Sequence, residues 1–87
     1  MNHQTTPRFW AFYYALPLEI QRLADKQHAL LEENPKYPSL HFKEVGKELW
    51  SARVNDAYRA LAIKVPTGYL WFWIGLHKEY ERLIKGR

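Results

Sequence analysis

Apolar and polar residues change their spacing near Pro38, and this change divides the chain into two parts. Before Pro38, apolar side chains recur every three or four residues, as they do along one face of an amphipathic helix. After it, short runs of alternating apolar and polar residues are separated by turn-forming residues, which is typical of strands joined by hairpins. Because the helical part precedes the stranded part, the pattern predicts an α+β fold rather than alternating βαβ units.

Two helices are predicted, within residues 7–16 and 18–34. The first begins at a hydroxyl side chain followed by Pro7, which is a favourable residue in a first helical turn. Pro17 interrupts this helix or begins the next one, and Asn34 followed by a proline ends the second helix. Ahead of both helices, residues 2–6 carry only a weak strand signal. The apolar face of the second helix carries Leu16, Ile20, Leu23, Ala24, Gln27, Leu30 and Leu31.

Four strand-like runs follow, at residues 40–45, 49–54, 58–65 and 69–76. The links between them are short and contain turn-forming residues, which predicts antiparallel hairpins. Residues 77–84 form a short helical tail in this interpretation. We therefore expect two N-terminal helices packed on one face of a four-stranded antiparallel sheet. A chain of this length has room for one hydrophobic core, so residues 1–87 are expected to form a single domain.

Hairpin geometry predicts which side chains meet in the last two strands. If residues 66–68 form a three-residue loop, Val65 faces Tyr69, and counting back places Arg59 opposite Gly75. Glycine has no side chain, so an open notch is expected in front of Arg59. The residues predicted to share this face of the sheet are Arg59, Leu61, Ile63, Trp71, Trp73 and His77.

The link between the second and third strands allows two registers. A three-residue loop over residues 55–57 places Arg53 directly opposite Arg59, and because like charges across a sheet repel, this arrangement suits an anion bound between them. A two-residue loop over residues 55–56 places the two arginines on opposite faces instead. A strand arginine also commonly pairs with a nearby acid. The acids available for such a pair are Glu44, Glu48 and Asp56.

Composition and charge narrow the class of protein. The chain contains no cysteine, which excludes disulfide and cysteine–metal scaffolds and fits a reducing compartment. The first residues do not resemble a signal peptide, and the longest apolar run, residues 69–76, is too short to cross a bilayer, so we expect a cytoplasmic protein without membrane contact. The net charge of +4 favours an acidic partner, either a nucleic acid or an acidic protein.

Several common chemistries have no support in the sequence. His28, His41 and His77 lack the spacing of metal ligands, and no glycine-rich loop is present to hold phosphates. Ser39 and Ser51 lack the signature of a nucleophile. A hydrolase of the usual kinds is therefore not expected, and neither is a metal or another cofactor.

Three short motifs occur along the chain in an order that is known from one superfamily. Residues 49–61 are similar to the pattern W-S-x-R-[VI]-…-[YH]-R-x-[LV], and residues 71–80 are similar to a closing strand that ends in I-G-x-H-x-x-Y. Upstream, residues 16–20 are similar to L-P-x-E-[IV] at the start of a helix. Over residues 9–81 the chain resembles the RelE/ParE superfamily, the toxins of type II toxin–antitoxin systems.

The resemblance implies a compact RelE-like toxin, in which a helical pair packs against an antiparallel sheet, and a cognate antitoxin that wraps the toxin and blocks its site. RelE-like members cleave mRNA in the ribosomal A site without a metal, whereas ParE-like members inhibit DNA gyrase and are not nucleases. His77 together with Tyr80 favours the nuclease, because a toxin that only binds needs no group for proton transfer.

The resemblance also implies a set of site residues. In a RelE-like toxin the arginines hold the phosphate charge while a ribose 2′-OH attacks the adjacent phosphorus, and His77 and Tyr80 match C-terminal acid or stacking positions. Lys43 and Lys47 lie where some members carry RNA-binding lysines. The general base stays open among Glu44, Glu48 and His41. The predicted catalytic residues are Arg53, Arg59, His77 and Tyr80.

Overall fold

The computed structural model describes residues 2–86 and folds them into three α-helices and a five-stranded sheet. The strands lie in the order β1-β5-β4-β3-β2, with β1 parallel to β5 and every other neighbouring pair antiparallel. None of the helices within residues 2–86 is long and apolar enough to cross a membrane. The elements in chain order are β1 (Asn2–Thr5), α1 (Pro7–Tyr14), α2 (Leu18–Glu33), a 3₁₀ turn (Pro38–Leu40), β2 (Lys43–Gly46), β3 (Leu49–Arg53), β4 (Tyr58–Val65), β5 (Gly68–Leu76) and α3 (His77–Lys85).

The predicted α+β fold is confirmed, but the two predicted helices and four antiparallel strands are part of a larger set of three helices and a five-stranded mixed sheet. Local chemistry sets the helix ends. The Thr6 hydroxyl accepts a hydrogen bond from the Phe9 backbone N–H at 3.1 Å and Pro7 fills the first turn, so α1 begins where the sequence predicted. Pro17 precedes the first residue of α2, and Asn34 ends that helix in an extended conformation before Pro35.

The sheet differs from the prediction because β1 adds a fifth, parallel strand beside β5. Its four residues are polar and show no apolar alternation, so only a weak signal marked them in the sequence. Pairing with β5 stabilises this strand, and that pairing requires Gly68. A Cβ on Gly68 would lie 2.0 Å from the Asn2 carbonyl oxygen, and the Gly68 φ of +148° is itself unfavourable for other residues.

His3 connects β1 to the sheet through its side chain. The Trp71 indole N–H donates a hydrogen bond to His3 Nδ1 at 3.0 Å, so this nitrogen must be unprotonated and the imidazole neutral. Burial of the ring, followed by the neighbouring His28, lowers the pKa of His3 below its usual value of 6.5. Protonating His3 on Nδ1 would remove the hydrogen bond from Trp71.

This histidine makes the stability of the domain depend on pH. Because the folded pKa lies below 6.5, the unfolded chain takes up the proton first, and acidification through this range favours unfolding. We expect the urea midpoint of the wild type to fall between about pH 7.5 and about pH 5.5, and to fall less for His3→Gln. The control is His41→Gln, which replaces an exposed histidine that is not among the causes of the lowered pKa of His3. Equal decreases for the wild type and His3→Gln would contradict this role of His3.

Each face of the sheet carries its own apolar core. The α1–α2 face consists of Ala52, Ala60, Ala62, Trp71 and Ile74, and it packs against Tyr13 of α1 and Leu31 of α2. The α3 face consists of Leu49, Leu61 and Trp73, and it packs against Tyr80 and Ile84 of α3. The first core confirms that the two N-terminal helices cover one face. The predicted tail is instead a nine-residue helix that covers the other face, because Tyr80 and Ile84 stand one helical turn apart and point the same way.

A bulge in β5 sets which tryptophan faces which core. Ala62 pairs with Trp71 and its neighbour Leu61 pairs with Trp73, so Phe72 is an extra residue in the strand. The predicted sharing of one face by Trp71 and Trp73 is therefore wrong, since an extra residue shifts the alternation of side chains.

The β4–β5 turn also differs from the prediction. Val65 pairs with Gly68 rather than Tyr69, which leaves a two-residue loop in place of the three-residue loop. The turn is one residue shorter than predicted and the strand contains one unpredicted residue, so the two errors cancel. The predicted pairing of Arg59 with Gly75 is consequently confirmed.

Candidate functional site

One end of the sheet gathers polar side chains from three neighbouring elements. Arg53 at the end of β3 pairs directly with Arg59 near the start of β4, and Arg59 pairs with Gly75 near the end of β5. His77 follows two residues later as the first residue of α3. The two arginines share a face because residues 55–57 form a three-residue loop, which excludes the alternative two-residue loop.

The β3–β4 loop (residues 55–57) holds this end of the sheet together. The Asn55 side-chain oxygen accepts hydrogen bonds from the backbone N–H groups of Ala57 at 2.9 Å and Tyr58 at 3.0 Å, which closes the turn. The Ala57 carbonyl in turn accepts a hydrogen bond from the His77 backbone N–H at 2.8 Å. The start of α3 is therefore fixed directly to the loop between the two arginine strands.

Arg53 is paired with an acid from this loop. Its Nη2 atom lies 2.6 Å from Asp56 Oδ1, and the Asp56 side chain is 98% exposed. The hydrogen bond from Arg53 is the main cause that lowers the pKa of Asp56, so the carboxylate is ionised at neutral pH. Of the three acids that the sequence offered as partners, Asp56 is the one that pairs. Glu44 instead accepts a hydrogen bond from the Glu48 backbone N–H at 3.0 Å.

Arg59 is surrounded by main-chain acceptors instead of a carboxylate. Its Nη1 atom donates hydrogen bonds to the carbonyl oxygens of Tyr58, at 3.0 Å, and Asn55. Within residues 2–86 the guanidinium makes no ion pair. Partial burial, followed by the like charge of Arg53, lowers the pKa of Arg59. In the part of the chain that the structure describes, Arg59 is thus a positive charge at this end of the sheet without a direct ion pair to an acidic side chain.

The first turn of α3 supplies a histidine and a tyrosine. His77 Nδ1 lies 3.2 Å from Glu81 Oε1, one helical turn further on, and this contact orients the half-exposed ring. The Tyr80 ring lies 5.5 Å from the His77 ring, but only 7% of Tyr80 is exposed, and its hydroxyl lies 3.3 Å from Ser51 Oγ. His77 is open to a substrate in this arrangement, whereas the Tyr80 hydroxyl is enclosed in the core of the α3 face.

The notch expected at Gly75 is filled. A Cβ built on Gly75 would lie 2.6 Å from Cζ2 of the Trp73 indole, so this ring covers the space that glycine leaves free. The expectation of an open notch in front of Arg59 was therefore wrong, because an inward-facing neighbour two residues away is large enough to lean over the glycine.

The other predicted residues lie at different distances from the arginines. Lys43 pairs with Ser51, which lies two residues before Arg53 in β3. Lys43 therefore lies on the sheet face that carries the arginines. Lys47 lies in the β2–β3 turn, beyond the other end of β3, and about 13 Å of strand separates Leu49 there from Arg53. Lys47 does not join the cluster.

Among the candidate bases, His41 lies at the same end of the sheet as Arg53 and Arg59. It is exposed in a left-handed conformation with φ 44°, and its charge is near enough to contribute to the lowered pKa of Asp56. Glu44 and Glu48 belong to the β2–β3 hairpin instead. Within residues 2–86, no group of three or more histidine, aspartate or glutamate side chains is arranged to hold a metal ion.

Gln27 is a supporting residue that the sequence analysis did not assign. It is buried on α2, and its Nε2 donates hydrogen bonds to the carbonyl oxygens of Arg53 at 2.9 Å and Ser39 at 3.3 Å. These bonds fix the end of β3 against the helical pair. The signal was present in the sequence, since Gln27 is the one strongly polar residue on the otherwise apolar face of α2.

This α+β fold, a mixed sheet with a helical pair on one face and a C-terminal helix on the other, is similar to that of RelE-like toxins. Comparison with solved structures agrees. A YoeB/ParE toxin from Agrobacterium tumefaciens matches with a TM-score of 0.67 and 13% identity, covering 88% of this chain and 99% of that chain. The isolated RelE toxin of E. coli matches with a TM-score of 0.62 and 11% identity, covering 95% and 94%.

These similarities confirm the resemblance to the RelE/ParE superfamily as a shared fold. No family model matches the chain, and no curated protein matches it in sequence. At identities this low, structural similarity establishes architecture, and the activity has to be argued from the site itself.

Proposed function

We propose that this chain is the toxin of a toxin–antitoxin pair and that it acts as a metal-independent endoribonuclease on mRNA at the ribosome. The fold shared with RelE and YoeB/ParE toxins supports the toxin assignment. The observation that carries the nuclease assignment is Arg59, a partly buried guanidinium without an ion pair within residues 2–86, directly opposite Arg53 in β3 and Gly75 in β5. A cation held in this way is suited to an RNA phosphate.

The proposed reaction is attack of a ribose 2′-oxygen on the adjacent phosphorus. The new O–P bond forms as the bond to the 5′-oxygen of the next nucleotide breaks, which leaves a cyclic phosphate and a 5′-hydroxyl. A base takes the 2′-hydroxyl proton, and an acid supplies one to the departing oxygen. Negative charge grows on the phosphate oxygens in the transition state. Arg59, already oriented by two carbonyl oxygens, would stabilise that charge with little reorganisation.

Proton transfer is assigned to His77. Its Nδ1 faces Glu81, which orients the ring and leaves Nε2 as the atom that would exchange a proton with the substrate. A carboxylate behind a histidine also stabilises the imidazolium form that appears during the reaction. His41, exposed at the same end of the sheet, is the proposed second proton-transfer group. Tyr80 is assigned a supporting role, because its hydroxyl is enclosed with Ser51.

His77→Ala is expected to slow RNA cleavage by roughly 10²–10⁴-fold, the usual contribution of a general acid or base, while the domain stays folded. The matched comparison is Tyr80→Phe, which alters the neighbouring ring by one buried hydroxyl. We expect Tyr80→Phe to cleave RNA at close to the wild-type rate and to lose about 1 kcal/mol of stability with the Ser51 contact. Cleavage on purified ribosomes and urea unfolding measure the two effects. A rate for His77→Ala near that of the wild type would contradict the assignment.

The second candidate function is inhibition of DNA gyrase by protein binding, as in ParE-like toxins. A specific observation favours it: three of the four predicted catalytic side chains already have partners, Arg53 with Asp56, His77 with Glu81 and Tyr80 with Ser51. A toxin that only binds needs no free proton-transfer group. Under this alternative the arginines would contact acidic residues of the target protein.

Induced expression in bacteria with radiolabelled precursors separates the two functions. We expect an immediate stop in incorporation of labelled amino acids, with incorporation of labelled thymidine continuing at first. A stop in thymidine incorporation alone would instead support gyrase inhibition. Growth arrest by neither route would contradict both functions.

The proposed partner is an antitoxin with an acidic or apolar segment that covers Arg53 and Arg59. The net charge of +4 and the exposed aromatic side chains, among them Trp10 and Tyr14, support such a partner. The test is co-expression with the product of the neighbouring reading frame. If that product neither co-purifies with this chain nor relieves the growth arrest, the pairing is wrong.

A further inference from the structure

We propose that Asp56 is an internal competitor of the RNA phosphate, an acidic side chain that occupies the anion position between the two arginine strands until substrate displaces it. This inference rests on the proposed function and adds to it a residue that sets which anions the site accepts. Asp56 takes no part in the proposed catalytic step.

The geometry places the carboxylate where an anion would bind. Asp56 lies at the centre of the β3–β4 loop, and its Oδ1 contacts Arg53 Nη2 at 2.6 Å. Arg59 is directly across the ladder from Arg53, and the charges of Arg59 and His41 both reach the same carboxylate. Asp56 is thus the acidic group toward which the positive charges of this end of the sheet converge.

The carboxylate is held in a way that allows it to leave. It makes a single contact with Arg53, and its side chain is almost fully exposed, so the ion pair contributes little in water. By contrast, the polar side chain of Asn55 closes the turn through two hydrogen bonds to the backbone. The loop therefore keeps its shape when the Asp56 side chain turns outward toward solvent.

A phosphate diester can outcompete this carboxylate only when it is held at other points too. A free anion such as inorganic phosphate gains one contact with Arg53 and must displace another, so its net gain is small. An RNA strand that is also bound elsewhere, for example at Lys43, presents its phosphate at a high effective concentration. Asp56 would therefore exclude small anions from the site and admit the phosphates of an extended RNA strand.

Fluorescence anisotropy with a labelled short RNA carrying 2′-O-methyl groups, which cannot be cleaved, tests the inference. We expect Asp56→Asn to bind this RNA more tightly than the wild type by roughly two- to fivefold, the range for release of an exposed ion pair. The matched control is Glu48→Gln at the opposite end of the sheet, which raises the net charge by the same amount and is expected to change binding little. Asparagine preserves the turn, which thermal unfolding verifies.

Each outcome has a separate meaning. Equal tightening by Asp56→Asn and Glu48→Gln would show a general effect of charge, and weaker binding by Asp56→Asn would show that the carboxylate positions Arg53. Either result overturns the inference while leaving the arginine site intact. The Arg59→Ala variant tests that site itself. If Arg59→Ala binds the RNA as tightly as the wild type does, the proposed function fails along with the inference.

Discussion

Replacing Arg59 by alanine is expected to abolish growth arrest while leaving the protein folded. Of the four predicted catalytic residues, Arg59 is the one without a hydrogen bond or ion pair to another side chain within residues 2–86, and two carbonyl oxygens hold its guanidinium in place. Removing a side chain that stabilises a transition-state anion typically slows a reaction by roughly 10²–10³-fold. The same change removes hydrogen bonds to Tyr58 and Asn55, for which we expect a loss of about 1 kcal/mol in unfolding free energy. Growth after induction, RNA cleavage and urea unfolding on one protein sample measure these effects together.

The control for this variant is Lys64→Ala. Lys64 is exposed on the same strand, toward its other end, so this change lowers the net charge equally without touching the site. It is expected to leave both growth arrest and stability close to those of the wild type. A fully toxic Arg59→Ala variant would remove Arg59 from the site. An unfolded variant would instead identify Arg59 as a structural residue that holds the β3–β4 loop.

Trp73→Ala is expected to have the largest effect on stability. The indole is 6% exposed, forms the α3 face with Leu49 and Leu61, and covers Gly75. Truncating a buried tryptophan in a core costs about 3–5 kcal/mol, and small domains have only about 5–15 kcal/mol in total. Most of the stability should therefore be lost, and α3 should detach from the sheet first because its core contacts disappear. The urea midpoint and the helical signal in circular dichroism report these two changes.

Trp10→Ala is the matched comparison, since it removes the same side chain from the surface. Trp10 is 41% exposed, and its indole N–H donates a hydrogen bond to the Thr5 hydroxyl at the surface. We expect its urea midpoint to decrease by well under half as much as that of Trp73→Ala. If the two variants lost similar amounts of stability, the packing of α3 against Trp73 would be wrong.

The ends of α1 and α2 could be predicted because residues close in sequence determine them. β1 and the length of α3 were missed because contacts between residues far apart in sequence determine them. The ends of α1 and α2 follow from Pro7, Pro17 and Asn34, whose backbone preferences act within one turn. β1 has no such signal because its stability comes from pairing with a strand more than sixty residues away. The length of α3 depends on an apolar sheet face that is visible only once the strands are assembled.

The predicted strand register placed Arg59 near the end of the sheet but did not reveal the contacts of the side chains there. The pairing of Arg53 with Arg59 was one of two registers that the sequence allowed, and the predicted pairing of Arg59 with Gly75 is correct because a shorter turn and a bulge cancel. The contact between Arg53 and Asp56 was one of several equally suitable ion pairs in the sequence. The position of the Trp73 ring over Gly75 depends on side-chain rotamers, which no alternation of apolar and polar residues contains.

The extra residue at Phe72 bears on how the length of this chain can change during evolution. Every residue of β5 up to Trp71, and every residue from Trp73 onward, would keep its partner on β4 if position 72 were deleted. A deletion at another interior position of β5 would shift the side-chain alternation on one side of the bulge and turn side chains from one core toward the other. Position 72 is therefore where β5 can best tolerate the loss of a residue, and homologous chains are expected to differ in length there while conserving both tryptophan pairings.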